Sequence, residues 1–442
     1  MGVPAMNDPA GSVTFRPIAM PLAVSTRSPL VMKHAQKLFG DRGFIPTMAG
    51  SGGGLDDPQY ADAKLQPGSA FSVLMIDGDL NIQGTGTATY LKDGNMVGFG
   101  HAMNGFGAVD AATAVSNITG VIPSLSFPVK IGFPVREMGA LRQDRQFAVG
   151  VSTTAKSSMT PVTFRVIHES LGTDETHQYR VWKHRYFMPG LSFLCLLESI
   201  AATSIMDGPL AADFGYTISL ADGTTVDKSH YFSGDLMMNF LTGSTLAMDL
   251  ETLLNNRFRP LDIEKVEGTI RLREVQHVMV LDRVVRGKTR VHPGETVTAE
   301  LEYARWREGT MTVPIEVPVP EDLEPGTYYL QIVDGMTRAE LELSFRPELR
   351  QVDEIEDLLE RLEPTFPENQ VYVLLVDQSD RMVVRRQRLE NLPSSVADIT
   401  EATSRDPNLV FRSKGSLVSE QQIPFEAQVA GNTSIPIEVK KP

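Results

Sequence analysis

In this 442-residue chain, the residue types best suited to chemistry gather in one glycine-rich segment, Gly98-Phe99-Gly100-His101-Ala102-Met103-Asn104-Gly105-Phe106-Gly107. The segment follows a β-forming run, so His101 is expected on a bend at the end of a strand. Glycines allow positive φ and close backbone approach, and such a bend can hold an imidazole at the edge of a cleft. An imidazole titrates near neutrality and can serve as a general base when a hydroxyl lies within about 3 Å. Taken alone, the motif also fits a histidine that only shapes a turn, which is the plainer reading.

Other residues have competing structural readings. Ser51, in Gly50-Ser51-Gly52-Gly53, has the glycine neighbours of a nucleophilic serine. A nucleophile must be held rigidly beside oxyanion donors, and a run this rich in glycine, without flanking apolar strand residues, reads as a linker. Asp144 between Arg142 and Arg145 could orient a histidine, but it reads as an ion-pair anchor holding strands together. His168, His177 and His184 fit neither a one-turn helical pair nor a zinc spacing, and they read as surface histidines. Gly84-Thr85-Gly86 lacks the helix start and the Lys-Ser/Thr of a phosphate loop, so it reads as closely packed strand. The single cysteine, Cys195, lies in the apolar run 191–197; it excludes an internal disulfide and a Cys-ligated metal and reads as a buried thiol. No metal site and no cofactor is implied.

Composition narrows the function classes. With 42% hydrophobic and 22% charged residues the chain reads as an ordinary globular protein. A formal net charge of -14 makes nucleic acid a poor partner, because that affinity rests on clustered Lys and Arg. Residues 1–30 lack the charged start and apolar core of a secretory signal. No stretch reaches the ~18 apolar residues of a membrane span. The length implies three or four domains.

The elements that must position His101 are mainly β, with an α+β middle region. Residues 1–65 read as an incomplete N-terminal piece ending in the glycine-rich linker. Over 66–160, apolar alternation at 71–76, 81–90 and 96–99, with turns at Asp77-Gly78-Asp79 and Asp93-Gly94, implies a β-meander. Further runs at 120–131 and 147–151 would close a small barrel or sandwich. Over 161–260 a strand at 162–167 precedes a buried helix at 191–206, a hairpin around Ala221-Asp222-Gly223 and a second helix at 236–254. Over 261–348 six short alternating runs, from 263–272 to 339–345, imply an Ig-like β-sandwich. Over 349–442, an amphipathic helix at 352–362 precedes further strands.

Four segments together, Gly84-Thr85-Gly86-Thr87-Ala88-Thr89-Tyr90, Gly98-Phe99-Gly100-His101, Val121-Ile122-Pro123-Ser124-Leu125 and Leu141-Arg142-Gln143-Asp144-Arg145, resemble the SpoIVB-type serine peptidase domain of larger bacterial proteins. The resemblance continues through 253–260, 291–297 and 322–326, covering most of the chain from about residue 66. It implies a trypsin-like β-barrel followed by the Ig-like sandwich, with His101 as the general base for a serine in a Gly-Met-Ser-Gly-Ser-Pro setting. That serine motif is absent from the 442 residues, and Ala102 stands where the family usually has proline. In multidomain relatives the serine precedes the histidine segment, and the histidine's acidic partner is expected there too. The chain would then be the C-terminal part of a longer peptidase or a relative that has lost catalysis.

The expectation is therefore a serine-endopeptidase-related protein acting on a peptide or protein substrate, inactive as this chain alone unless Ser51 serves as nucleophile. The resemblance implies a periplasmic or extracellular setting. The alternative is a noncatalytic secreted binding or scaffold protein in which a degenerate peptidase domain and the sandwich meet a protein partner.

Overall fold

The computed structural model describes residues 19–50, 55, 57–123, 129–203, 208–235, 245–384, 386–389, 392–404 and 410–441. The chain is mainly β, with strands organised in three sheets.

Strand β1 (Met20–Val24), helix α1 (Pro29–Gly40) and strand β2 (Phe44–Met48) form a parallel unit. Ser28 caps α1 by accepting from the Val31 amide at 3.4 Å, and Pro29 stands where a helix needs no N–H. Strands β3 (Ala70–Gly78), β4 (Ile82–Lys92), β5 (Asn95–Gly98), β6 (Gly107–Ile122), β7 (Val129–Arg145) and β8 (Ala148–Ser152) follow. They pair in the order β3-β6-β7-β8-β5-β4, and β4 returns to β3, so the hydrogen bonding closes a six-stranded ring. Strand β1 adds to β4, so the supposedly incomplete N-terminal piece extends the same sheet. Its Met20, Leu22 and Val24 are buried at every second position, as a strand with one face in a core requires.

The middle region continues that sheet. Strands β9 (Met159–His168) and β10 (Thr173–Trp182) form a hairpin, and β10 joins the ring by pairing Tyr179–Val181 with Ile76–Gly78. Helix α2 (Met188–Thr203), strands β11 (Pro209–Leu220) and β12 (Thr225–Asp235), helix α3 (Thr245–Leu254) and strand β13 (Ile263–Arg273) complete it. Helix α2 is apolar nearly all round and is buried among β9, β10, α1 and α3. Of the second expected helix, 245–254 is helical and 236–244 lies outside the described residues.

Strand β13, expected as the first strand of the sandwich, instead lies between β9 and β11, parallel to the former and antiparallel to the latter. Alternation marks a strand but carries no information about its partner, and burial of Ile263, Val266, Ile270 and Leu272 is equally satisfied in either sheet.

The sandwich-like part is correspondingly built from later strands. One sheet contains 278–287, 296–305, 309–318 and 428–430; the other contains 290–291, 326–333, 370–384, 387–389, 410–424 and 432–439. Leu281, Leu301 and Val317 from the first share a core with Leu330, Val373 and Ile437 from the second. The C-terminal strands thus complete this unit rather than forming a separate piece.

The run at 339–345, expected as its last strand, is helix α4 (Gly335–Phe345). Asp334 caps it by accepting from the Thr337 amide at 2.7 Å, and Arg338, Glu342 and Phe345 fall on one buried face at helical spacing. The expected amphipathic helix is α5 (Ile355–Leu362), and α6 (Ser394–Thr403) follows.

Candidate functional site

His101 stands where the sequence places it, on the connection from β5 to β6 at the end of the ring. The connection turns sharply: Phe99 adopts φ 69° and Gly100 φ 76°, with Gly105 and Gly107 at 79° and 78°. A positive φ at phenylalanine is uncommon and must be held by packing. The Phe99 ring lies 5.0 Å from that of Phe71 and directly over Gly86, where an added Cβ would come within 1.8 Å of it. Gly84-Thr85-Gly86 is therefore strand whose missing side chain admits Phe99, as the close-packing reading requires.

Asp144 holds the rest of the loop. Its carboxylate is buried and accepts from four consecutive amides: Met103 at 2.7 Å, Asn104 at 2.9 Å, Gly105 at 2.8 Å and Phe106 at 3.1 Å. This overturns the ion-pair reading. Arg142 pairs with Asp110 at 3.1 Å and Arg145 donates to Gln143 at 2.8 Å, while Asp144, at an inward position of β7, is satisfied by backbone dipoles. Arg145, next to Asp144, faces the opposite way on the strand, while Arg142, two positions away, stands where the β7–β8 register shifts between Leu141 and Gln143.

The loop is anchored a second time by a side chain. The Phe106 ring meets Trp182 at 5.9 Å, His184 at 4.9 Å and Phe187 at 5.7 Å, and His184 lies 4.4 Å from Trp182. Burial in this aromatic group, assisted by the neighbouring Arg185 charge, pushes His184 down to about 4, so it is neutral at pH 7. Histidines 168 and 177 are likewise buried rather than on the surface, at the inward positions of β9 and β10. His177 lies 3.1 Å from the Thr203 hydroxyl, and His168 Nδ1 accepts from the Leu171 amide at 3.3 Å. Among the described residues no group of His, Cys, Asp or Glu is arranged to hold a metal ion.

The imidazole of His101 is half-buried, with Nδ1 2.7 Å from the Ala102 carbonyl oxygen. A carbonyl can only accept, so this contact assigns the proton to Nδ1 and leaves the lone pair on Nε2. Among the described residues neither ring nitrogen is hydrogen-bonded to a carboxylate or a hydroxyl. Ser51 lies outside the described residues. The arrangement therefore presents a histidine in the tautomer of a general base, on a loop fixed at both ends. It also directs four loop amides onto Asp144, so these are not free to meet an oxyanion.

Burial raises Cys195 well above the ordinary thiol range, as the buried-thiol reading requires. Sequence reasoning missed two polar groups. Asp249, raised by burial, accepts from the Tyr216 hydroxyl at 2.8 Å. Lys228, lowered by burial, donates to the carbonyls of Leu362 and Pro364, fastening the segment after α5 onto β12. His184, read as a surface histidine, belongs instead to a group of aromatics whose signal in the sequence is the density of Trp182, Tyr186 and Phe187 between a strand and a helix.

No family model, no curated protein and no solved structure matches this chain.

Proposed function

We propose that the chain is a serine-endopeptidase-related protein of the SpoIVB type, in which the six-stranded ring is a trypsin-like barrel and His101 is the general base. The observation that carries this reading is the His101 Nδ1 contact with the Ala102 carbonyl, which leaves the lone pair on Nε2. In the reaction Nε2 would accept the proton of a serine hydroxyl as its oxygen bonds to a peptide carbonyl carbon. It would then return that proton to the departing amine. The serine would come from outside the described residues, Ser51 or another segment, and the two-sheet unit would correspond to the Ig-like module. The family resemblance supports an extracytoplasmic setting.

A second reading is a noncatalytic binding or scaffold protein. One observation favours it: four amides of the His101 loop, those of Met103 to Phe106, are taken up by Asp144, whereas acyl transfer needs unengaged donors for its oxyanion. A serine-directed fluorophosphonate probe, read by intact mass with His101→Ala as control, separates the two. Labelling that disappears in the variant supports the peptidase reading for this chain and points to Ser51. Absence of labelling in the parent chain rejects catalysis by this chain alone.

A further inference from the structure

A cleft of about 350 Å³ opens where the segment between β10 and α2 meets the connection from α3 to β13. Its rim carries Lys183, Arg185, Arg257 and Arg259, against one lining carboxylate, Asp262. In a chain of formal net charge -14, four cations around one opening are a local reversal of sign.

Two of the four are neutralised. Lys183 pairs with Asp262 at 2.5 Å, and Arg259 pairs with Asp222 at 2.9 Å, holding that carboxyl down at about 2. The other two have no carboxylate partner among the described residues. Arg185 stacks on the Tyr186 ring and donates to its hydroxyl; Arg257 stacks on Phe258 and donates to the Val352 carbonyl at 2.5 Å. Both are held in place by neutral groups that leave the charge uncompensated. The cleft also has apolar lining, from Met188, Leu254, Phe258 and Leu261.

We infer that this cleft binds a carboxylate carried on an apolar body, with Arg185 and Arg257 taking the charge and the apolar lining taking the hydrocarbon. Guanidinium groups suit a carboxylate because their planar donors can bond both oxygens, and weak hydration lets them do so beside apolar surface. A single carboxylate fits better than a phosphate dianion, because Asp262 and Asp222 already occupy the other two cations and would repel added negative charge. A cavity of this size takes a small acid or the last residue or two of a peptide, and both present the same chemistry. The inference does not depend on the role of His101.

The test is calorimetric titration of the full chain with hexanoate, with a hexapeptide ending in leucine, and with the same peptide amidated at its C-terminus. The expected result is binding of at least one free carboxylate, none of the amide, and about tenfold or greater weakening in Arg185→Gln and in Arg257→Gln. Arg257→Lys should recover part of the loss. Tighter binding of the peptide than of hexanoate identifies a chain terminus as the ligand; equal or tighter hexanoate identifies a free acid. Both arginines are exposed, and an unchanged urea midpoint in each variant shows that any lost heat reflects binding rather than unfolding. Failure of both carboxylates to bind the parent chain overturns the inference, as does undiminished binding in the Arg185→Gln, Arg257→Gln double variant.

Discussion

In the six-stranded ring Asp144 is buried with no cation paired to it among the described residues; beyond the ring, in the two-sheet unit, Arg338 is buried between two carboxylates and two aromatic rings. Asp144 is satisfied by four amides from one loop. Arg338 donates to Glu342 at 2.8 Å and Glu420 at 3.0 Å, with its guanidinium 4.3 Å from the Phe366 ring centre and 5.3 Å from that of Phe345. The anion is compensated locally, so its influence is confined to the shape of the His101 loop. The cation is compensated by side chains from α4 and from strand 410–424, so it joins a helix to a sheet. A buried charge met by backbone dipoles organises a loop, and one met by opposite charges ties elements together.

The largest expected effect lies in the two-sheet unit. Arg338→Ala removes the cation of the partly buried Glu420 and leaves the buried Glu342 only its longer contact with Arg346 at 3.5 Å, and should cost about 3 kcal/mol in denaturant-induced unfolding. Replacing the triad together by Arg338→Met, Glu342→Leu and Glu420→Leu should recover most of it. A triple variant as unstable as the single one would contradict the buried-pair account.

Asp144→Ala orphans four amides, three of them only partly buried, and should cost about 2–3 kcal/mol. Amide hydrogen exchange should accelerate at 103–106 and stay unchanged in the strands 326–333 and 370–384. Acceleration across both units would break the distinction between local and bridging compensation. Asp144→Asn, which retains one acceptor oxygen, should lose about half as much.

His184 should give a smaller, pH-dependent effect. Its pKa near 4 in the folded chain lies below the ordinary histidine value of 6.5, so the unfolded chain binds more protons between those values. Its contribution is complete above pH 6.5 and falls away as pH drops toward 4. After discounting for solvent screening it is on the order of 1 kcal/mol. Stability measured at pH 7 and pH 5 should differ less in His184→Phe than in the parent chain; an unchanged pH slope would place the titrating group elsewhere.

The smallest expected effect on stability is that of His101→Ala, within about 0.5 kcal/mol, because the half-buried ring makes one hydrogen bond to a neighbouring carbonyl. A much larger loss in urea unfolding would assign His101 the turn-shaping role that its motif alone also allows.

Local chemistry made much of the site legible. Turn residues and alternation locate β3 to β5, and the glycines around His101 locate the bend because Gly100, Gly105 and Gly107 adopt the positive φ that glycine takes without strain. The role of Asp144 was not legible, since the arginines near it in sequence are engaged by Asp110 and Gln143 while the amides it accepts from belong to a distant loop. The burial of His168 and His177 was missed because polar neighbours along a strand say nothing about which face is covered. Within the helix 335–345, the run 339–345 reads as a strand because its apolar residues also alternate. The helix's cap at Asp334 and the Arg338–Glu342 spacing carry the opposite signal.

The sequence by itself determined the mainly β character, the hairpin around Asp222, the buried helix containing Cys195 and the position of His101 at a strand end, because each depends on residues a few positions apart. Only the tertiary structure decided that β3 and β4 close a ring, that β13 leaves the sandwich-like unit to join β9 and β11, that strands near the C-terminus complete that unit, and that two remote segments place Arg185 and Arg257 around one cleft. Pairing partners and shared clefts join residues tens to more than a hundred positions apart. Strands with similar alternation can bury the same apolar face against many neighbours, so the partner is chosen by how the whole set of faces packs.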